Sequence, residues 1–137
     1  MQREGEPTWQ PISALGLIAD LVDSQLDGGR DQYRALLRAR PYVLDDDTVE
    51  GLLRVYGDTN DDLWLYDEQL DRWAAGALTS AQRREVERLR VQMTSLREVV
   101  GQILALSAAL KDQTIDALLA KSDLDVGVEW LLRGHEG

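Results

Sequence analysis

Two stretches of this chain carry apolar residues in unbroken three-four alternation, and only a few residues separate them. In the first, Val49, Leu52, Tyr56, Thr59, Leu63, Tyr66, Leu70, Trp73 and Ala77 stay in phase. In the second, Val86, Leu89, Met93, Leu96, Val100, Ile103, Ser107 and Leu110 do the same. That spacing gathers each set on one face of a helix. Two amphipathic helices of matching length joined by a short turn bury those faces by packing against each other, antiparallel. The expected fold class is therefore all-α. It is a helical bundle built on a long antiparallel hairpin, residues 46–77 and 80–111, with shorter N- and C-terminal helices packed at its base.

Local signals agree with this frame. Thr79 and Gln82 have the spacing of a capping box at the start of the second long helix. Asp45-Asp46-Asp47-Thr48 places negative charge where the amino-terminal dipole of the first would favour it. Gly57-Asp58-Thr59-Asn60 reads as a turn in isolation, but the apolar phase runs through it, which favours a continuous helix. Before the hairpin, Leu15, Ile18, Leu21, Val22 and Leu26 predict a helix that Gly28-Gly29 ends. A second, from Asp31 to about Ala39, presents Tyr33, Leu36 and Leu37 and stops before Pro41. After the hairpin, residues 114–121 predict one short helix and residues 123–132 another, the pair forming a lid that buries Leu118, Leu119, Leu124, Val128, Trp130 and Leu131. Residues 1–10 form an amino-terminal arm pinned by Trp9, and 134–137 a tail. The 137 residues match the ordinary size of one domain with one core.

Charge and composition exclude several functions. A net charge of −10 repels nucleic acid phosphates and anionic lipid headgroups, so neither a nucleic acid nor a membrane is an expected partner. The opening residues lack the layout of a signal peptide and no long apolar run occurs, which predicts a cytoplasmic protein. There is no cysteine, and the single histidine is His135, in the tail and followed by Glu136. Thiolate metal sites, cysteine nucleophiles and serine-histidine triads all lack their residues. No glycine-rich phosphate loop is present, so no catalytic residue and no cofactor is expected.

The remaining chemistry is carboxylate. Asp58, Asp61 and Asp62 form one group on the first long helix, and Asp67, Glu68 and Asp71 another; several convergent carboxylates can hold a divalent cation. The second group resembles the carboxylate-rich helices of all-α nucleotide pyrophosphohydrolases. Those enzymes carry a second acidic motif on the following helix, where this chain has mainly arginines. A metal-dependent hydrolase of a phosphorylated small molecule, with Asp67, Glu68 and Asp71 as ligands, is thus the alternative reading. The main one is a solvated acidic face paired across the hairpin with Arg83, Arg84, Arg88 and Arg90. Residues 41–79 hold ten acids against Arg54 and Arg72, while 80–111 hold six bases against three acids, and that asymmetry suits such pairing. A third reading is an acidic surface that imitates nucleic acid and occupies a basic partner.

Apolar surplus points to a partner. Leu63-Trp64-Leu65-Tyr66 is apolar through a whole turn, more than a two-helix seam buries. The expected interface is Trp64, Leu65, Tyr66 and Trp73, covered by a second copy in a homodimer. A hairpin tip at about 67–90 protrudes towards another protein. The expected function is a non-catalytic helical interaction module: adaptor, regulator or assembly subunit.

Overall fold

A computed structural model describes residues 7–40 and 43–121. The architecture is three long helices: α1 (Leu15–Arg38), α2 (Asp46–Ala74) and α3 (Ser80–Leu110), with 3-10 turns at Ile12–Ala14 and Lys111–Gln113. No strand occurs among the described residues.

The hairpin forms as its heptads predict. Thr79 caps α3 by accepting from the Gln82 backbone N–H at 3.1 Å, while the Gln82 side chain accepts from Thr79 N–H at 2.9 Å. The two orphan donors of the helix start are thereby satisfied reciprocally. At the start of α2, Asp45 accepts from Thr48 N–H at 2.7 Å, with Asp46 and Asp47 in the first turn. That bond holds the Asp45 carboxyl below its usual range. α2 is helical straight through Gly57–Asn60 and stops at Ala74, a little before the expected end at 77.

All eight seam residues of α3 are buried, from Val86 to Leu110, because α3 is covered on two sides. α2 packs antiparallel along one side. α1 lies along the other, parallel to α3: Ile12 and Leu15 sit by Ala81, Asp23 by Arg88 and Gln92, and Gly29 by Val99. Leu15, Ala19, Val22, Leu26 and Leu36 of α1 join the same apolar cluster as Leu63, Leu70, Trp73 and the α3 seam.

The amino-terminal part differs from expectation in two ways. Gly28-Gly29 does not end a helix; α1 runs unbroken for 24 residues. A Cβ on Gly29 would stand 3.1 Å from Val99 Cγ1, whereas one on Gly28 would meet nothing within 4 Å. Gly29 is therefore a close-approach residue between two helices, and the gain from packing α1 onto α3 outweighs the helix cost of two glycines, about 1 kcal/mol each. Consequently α1 extends beyond the hairpin base to its tip. There Ile12, Ala14, Ala74 and Leu78 pack on the core, so the tip is covered by the chain itself and does not protrude.

At the base, the segment after α3 turns back onto the start of α2. The buried Thr114 hydroxyl donates to the Asp46 carboxylate at 2.6 Å, Asp116 accepts from Asp46 N–H at 2.7 Å, and Ile115 N–H donates to the Leu44 carbonyl at 2.8 Å. Residues 115–121 are helical, as expected, but Leu118 and Leu119 are exposed rather than buried. The second helix of the expected lid, with Trp130, and His135 lie outside the described residues.

Candidate functional site

Helix α1 packs closely on α3 and only loosely on α2; towards α3 it is flanked by a cleft of about 560 Å³ beside Leu15, Asp23 and Arg88 and one of about 230 Å³ beside Arg30, Tyr33 and Glu98. Helices α1 and α2 each pack on α3, and between them run two clefts. One, of about 370 Å³, is walled by Trp9, Ile18, Leu21, Leu65 and Tyr66, with Asp62 at its edge. The other, of about 250 Å³, lies where Gly28 and Gly29 leave room opposite Val55, Tyr56 and Thr59. A hydrogen bond from Gln25 Nε2 to the Tyr66 hydroxyl, 3.1 Å, bridges the seam between them. Gln25 Oε1 is buried with no hydrogen-bond partner among the described residues, and burial pushes the Tyr56 phenol pKa up.

Along the outer edge of this seam stand exposed apolar side chains of α1 and α2. Leu17 is 63% exposed, Leu21 42% and Trp64 54%. Leu17 and Leu21 are one turn apart on α1, and Leu21 shares the first cleft with Leu65 and Trp9. The rings of Trp9 and Trp64 meet edge to face, 6.3 Å between centroids. The patch is thus continuous from α1, across the arm, to the outer face of α2.

The four residues expected at an interface have different fates. Trp64 is exposed and Leu65 half-buried, both on this patch. Tyr66 is half-buried and turned towards α1 by its bond to Gln25. Trp73 belongs to the core instead of an outer surface, because the amino-terminal arm covers it and its indole Nε1–H donates to the Gln10 carbonyl at 3.0 Å. Periodicity placed Trp73 in the seam, but nothing in the spacing revealed which segment would close over it.

That arm is held by a device the sequence did not signal. Gln69, only 5% exposed, accepts from Gln10 N–H through Oε1 at 2.6 Å and donates through Nε2 to the Gln10 carbonyl at 3.3 Å. One side-chain amide thereby pairs with both main-chain groups of one residue, as a neighbouring strand would. Beside it, the Arg72 guanidinium lies over the Trp9 ring, 4.4 Å from its centroid, a cation–π contact. Glu68 braces Arg72 from one turn earlier at 3.3 Å.

The acidic residues considered as metal ligands are dispersed among arginines. Asp67 pairs with Arg97, Asp71 with Arg90 at 2.7 Å, and Glu68 with Arg72. Two of these pairs cross the hairpin from α2 to α3, through Arg97 and, of the four arginines expected to pair there, Arg90. Arg88 faces away from α2: it binds Glu85 and, with two bonds of 3.0 and 2.9 Å, Asp23 on α1. Bonds from Arg88 and Gln92 lower the Asp23 pKa. No group of three acidic, histidine or cysteine side chains able to hold a metal ion occurs among the described residues. Nor is any helix among them long and apolar enough to cross a membrane.

Comparison with protein families, characterised proteins and solved structures returns no match to this chain. The functional reading therefore rests on the chain's own geometry.

Proposed function

We propose that this protein is a non-catalytic helical interaction module, an adaptor, regulator or assembly subunit, that forms a homodimer through the loose α1/α2 seam. The observation that carries the reading is the patch made by exposed Leu17, Leu21 and Trp64 with half-buried Trp9 and Leu65 between them. Exposed apolar patches rimmed by polar residues mark protein contact sites, and aromatic side chains dominate the energy of such contacts. Asp61 and Asp62 precede Trp64 on α2 and the Glu68–Arg72 ion pair follows it, so charge of both signs borders the patch. A twofold contact brings the same patch of each copy together.

Three tests bear on it. Light scattering should give twice the 15.4 kDa chain mass, unchanged by Mg²⁺. Leu21→Asp with Leu65→Asp should give a folded monomer, since both residues lie outside the fully buried core. A wild-type monomer at high concentration would sink the homodimer. A Mg²⁺ response abolished by Asp67→Asn with Asp71→Asn would replace it with the metal-dependent reading.

A further inference from the structure

We infer that the groove of α2 formed by Trp64, Gln69, Arg72 and Trp73 is a receptor for an extended Trp-Xaa-Pro segment, and that a second copy supplies that segment by exchanging arms. This rests on the dimer proposed above and specifies which segment passes between the copies.

The groove reads main chain. Gln69 pairs with the N–H and carbonyl of Gln10, and Trp73 donates to the same carbonyl, so one residue's backbone receives three bonds. The Gln10 side chain takes no part and turns back to the Thr8 carbonyl at 3.3 Å. Any residue able to extend there satisfies the clamp. Selectivity comes from the neighbouring position, where Trp9 lies under Arg72 and against Trp64. It also comes from Pro11, whose extended backbone, φ −68° and ψ 161°, keeps the segment straight before the turn at Ile12. Extended-segment recognition elsewhere combines the same two elements, main-chain bonds for affinity and a side-chain site for choice.

The connectivity permits exchange. The clamp and stacking contacts of residues 9 and 10 go to α2, yet the arm is continuous with α1, joined through Pro11 and a single 3-10 turn. Reorienting that junction carries the arm to another copy and re-forms every clamp bond there, so exchange of identical segments loses none of them. A tethered arm has a high effective concentration in its own groove, about millimolar for a short link. Exchange therefore requires an added contact between copies. The Leu17, Leu21 and Trp64 patch flanks the groove and supplies it.

The test is complementation between full-length chains. Trp9→Ala breaks the arm and keeps the groove; Gln69→Ala keeps the arm and breaks the groove. The Trp9→Ala chain is ¹⁵N-labelled, and its Trp73 indole N–H resonance is followed as unlabelled Gln69→Ala chain is added. Exchange predicts that the resonance returns to its wild-type position with saturation, and that unlabelled chain carrying both substitutions produces no return. Should Gln69→Ala not fold, Arg72→Ala replaces it, because that residue is surface-exposed, stacks on Trp9 and lies outside the apolar patch. No return, at a concentration where light scattering reports dimer, overturns arm exchange and leaves the dimer standing. No return with monomer throughout overturns both.

Discussion

Helix α1 has two neighbours and treats them differently. Against α3 it presents Leu15, Ala19, Val22, Leu26 and Gly29, all buried, and a glycine allows the backbones close. Against α2 it presents Ile18, Leu21 and Gln25, none of them fully buried. The α1/α3 seam is close along that buried stripe of small and branched side chains. The α1/α2 seam is looser, bridged by the Gln25–Tyr66 hydrogen bond and strapped at one end by the amino-terminal arm. Stability and accessibility are thus assigned to opposite sides of one helix, and residues a few positions apart should respond very differently to the same substitution.

The largest expected effect sets Leu26 against Leu21. Leu26 is 1% exposed on the α1/α3 seam, so Leu26→Ala should destabilise by about 2–5 kcal/mol, while Leu21→Ala on the α1/α2 seam should change folding stability by about 0.5 kcal/mol or less. Urea denaturation of the two variants checks the difference; similar losses would mean that the α1/α2 seam is packed after all. Next comes the strap. Gln69→Ala leaves the Gln10 N–H without its partner and the Gln10 carbonyl with the Trp73 bond alone, and should cost about 1–3 kcal/mol, with a shift of the wild-type Trp73 indole resonance.

A smaller contrast separates two adjacent glycines. Gly28→Ala enters open space and should stabilise the protein by about 0.5–1 kcal/mol through helix propensity. Gly29→Ala drives a methyl group against Val99 and should forfeit that gain, giving a lower melting temperature than Gly28→Ala. Equal melting temperatures would show that α1 and α3 can separate without cost.

The smallest effect concerns the ion pair that joins α1 to α3. Arg88 and Gln92 depress the folded-state pKa of Asp23 below its unfolded value of about 3.9, so this contribution is present above that pH and disappears as pH falls through the folded value. Arg88→Gln should therefore be slightly less stable than wild type near neutrality, with the gap closing on acidification below about pH 4. The pair is partly solvent-exposed, which keeps the gap small and sensitive to salt. A gap that widens on acidification would assign Arg88 a different role.

Much of this architecture is legible in the residue order, and the reason is local. Capping at Asp45 and Thr79 depends on residues three apart, and the heptads of α2 and α3 depend on a repeating step, so both can be read without knowing the partner surface. The pairing of α2 acids with α3 arginines follows from the hairpin register. Gly28-Gly29 misleads because glycine serves two purposes, ending helices and letting backbones approach, and only the presence of Val99 opposite distinguishes them. The interface reading failed at Trp73 for a similar reason. An aromatic residue on a helix needs covering, but its sequence neighbours do not say whether a distant arm or a second molecule covers it.

The sequence by itself determined the helical class, the hairpin and its caps, since these arise from period and short-range hydrogen bonding. Tertiary structure decided that α1 runs unbroken along α3 to the hairpin tip, that Gln69 and Trp73 clamp the backbone of a residue about sixty positions earlier, and that α1 packs closely on α3 but loosely on α2. Those outcomes depend on shape complementarity between segments far apart in the chain. No local pattern encodes it, because the fit between two surfaces exists only once both are folded.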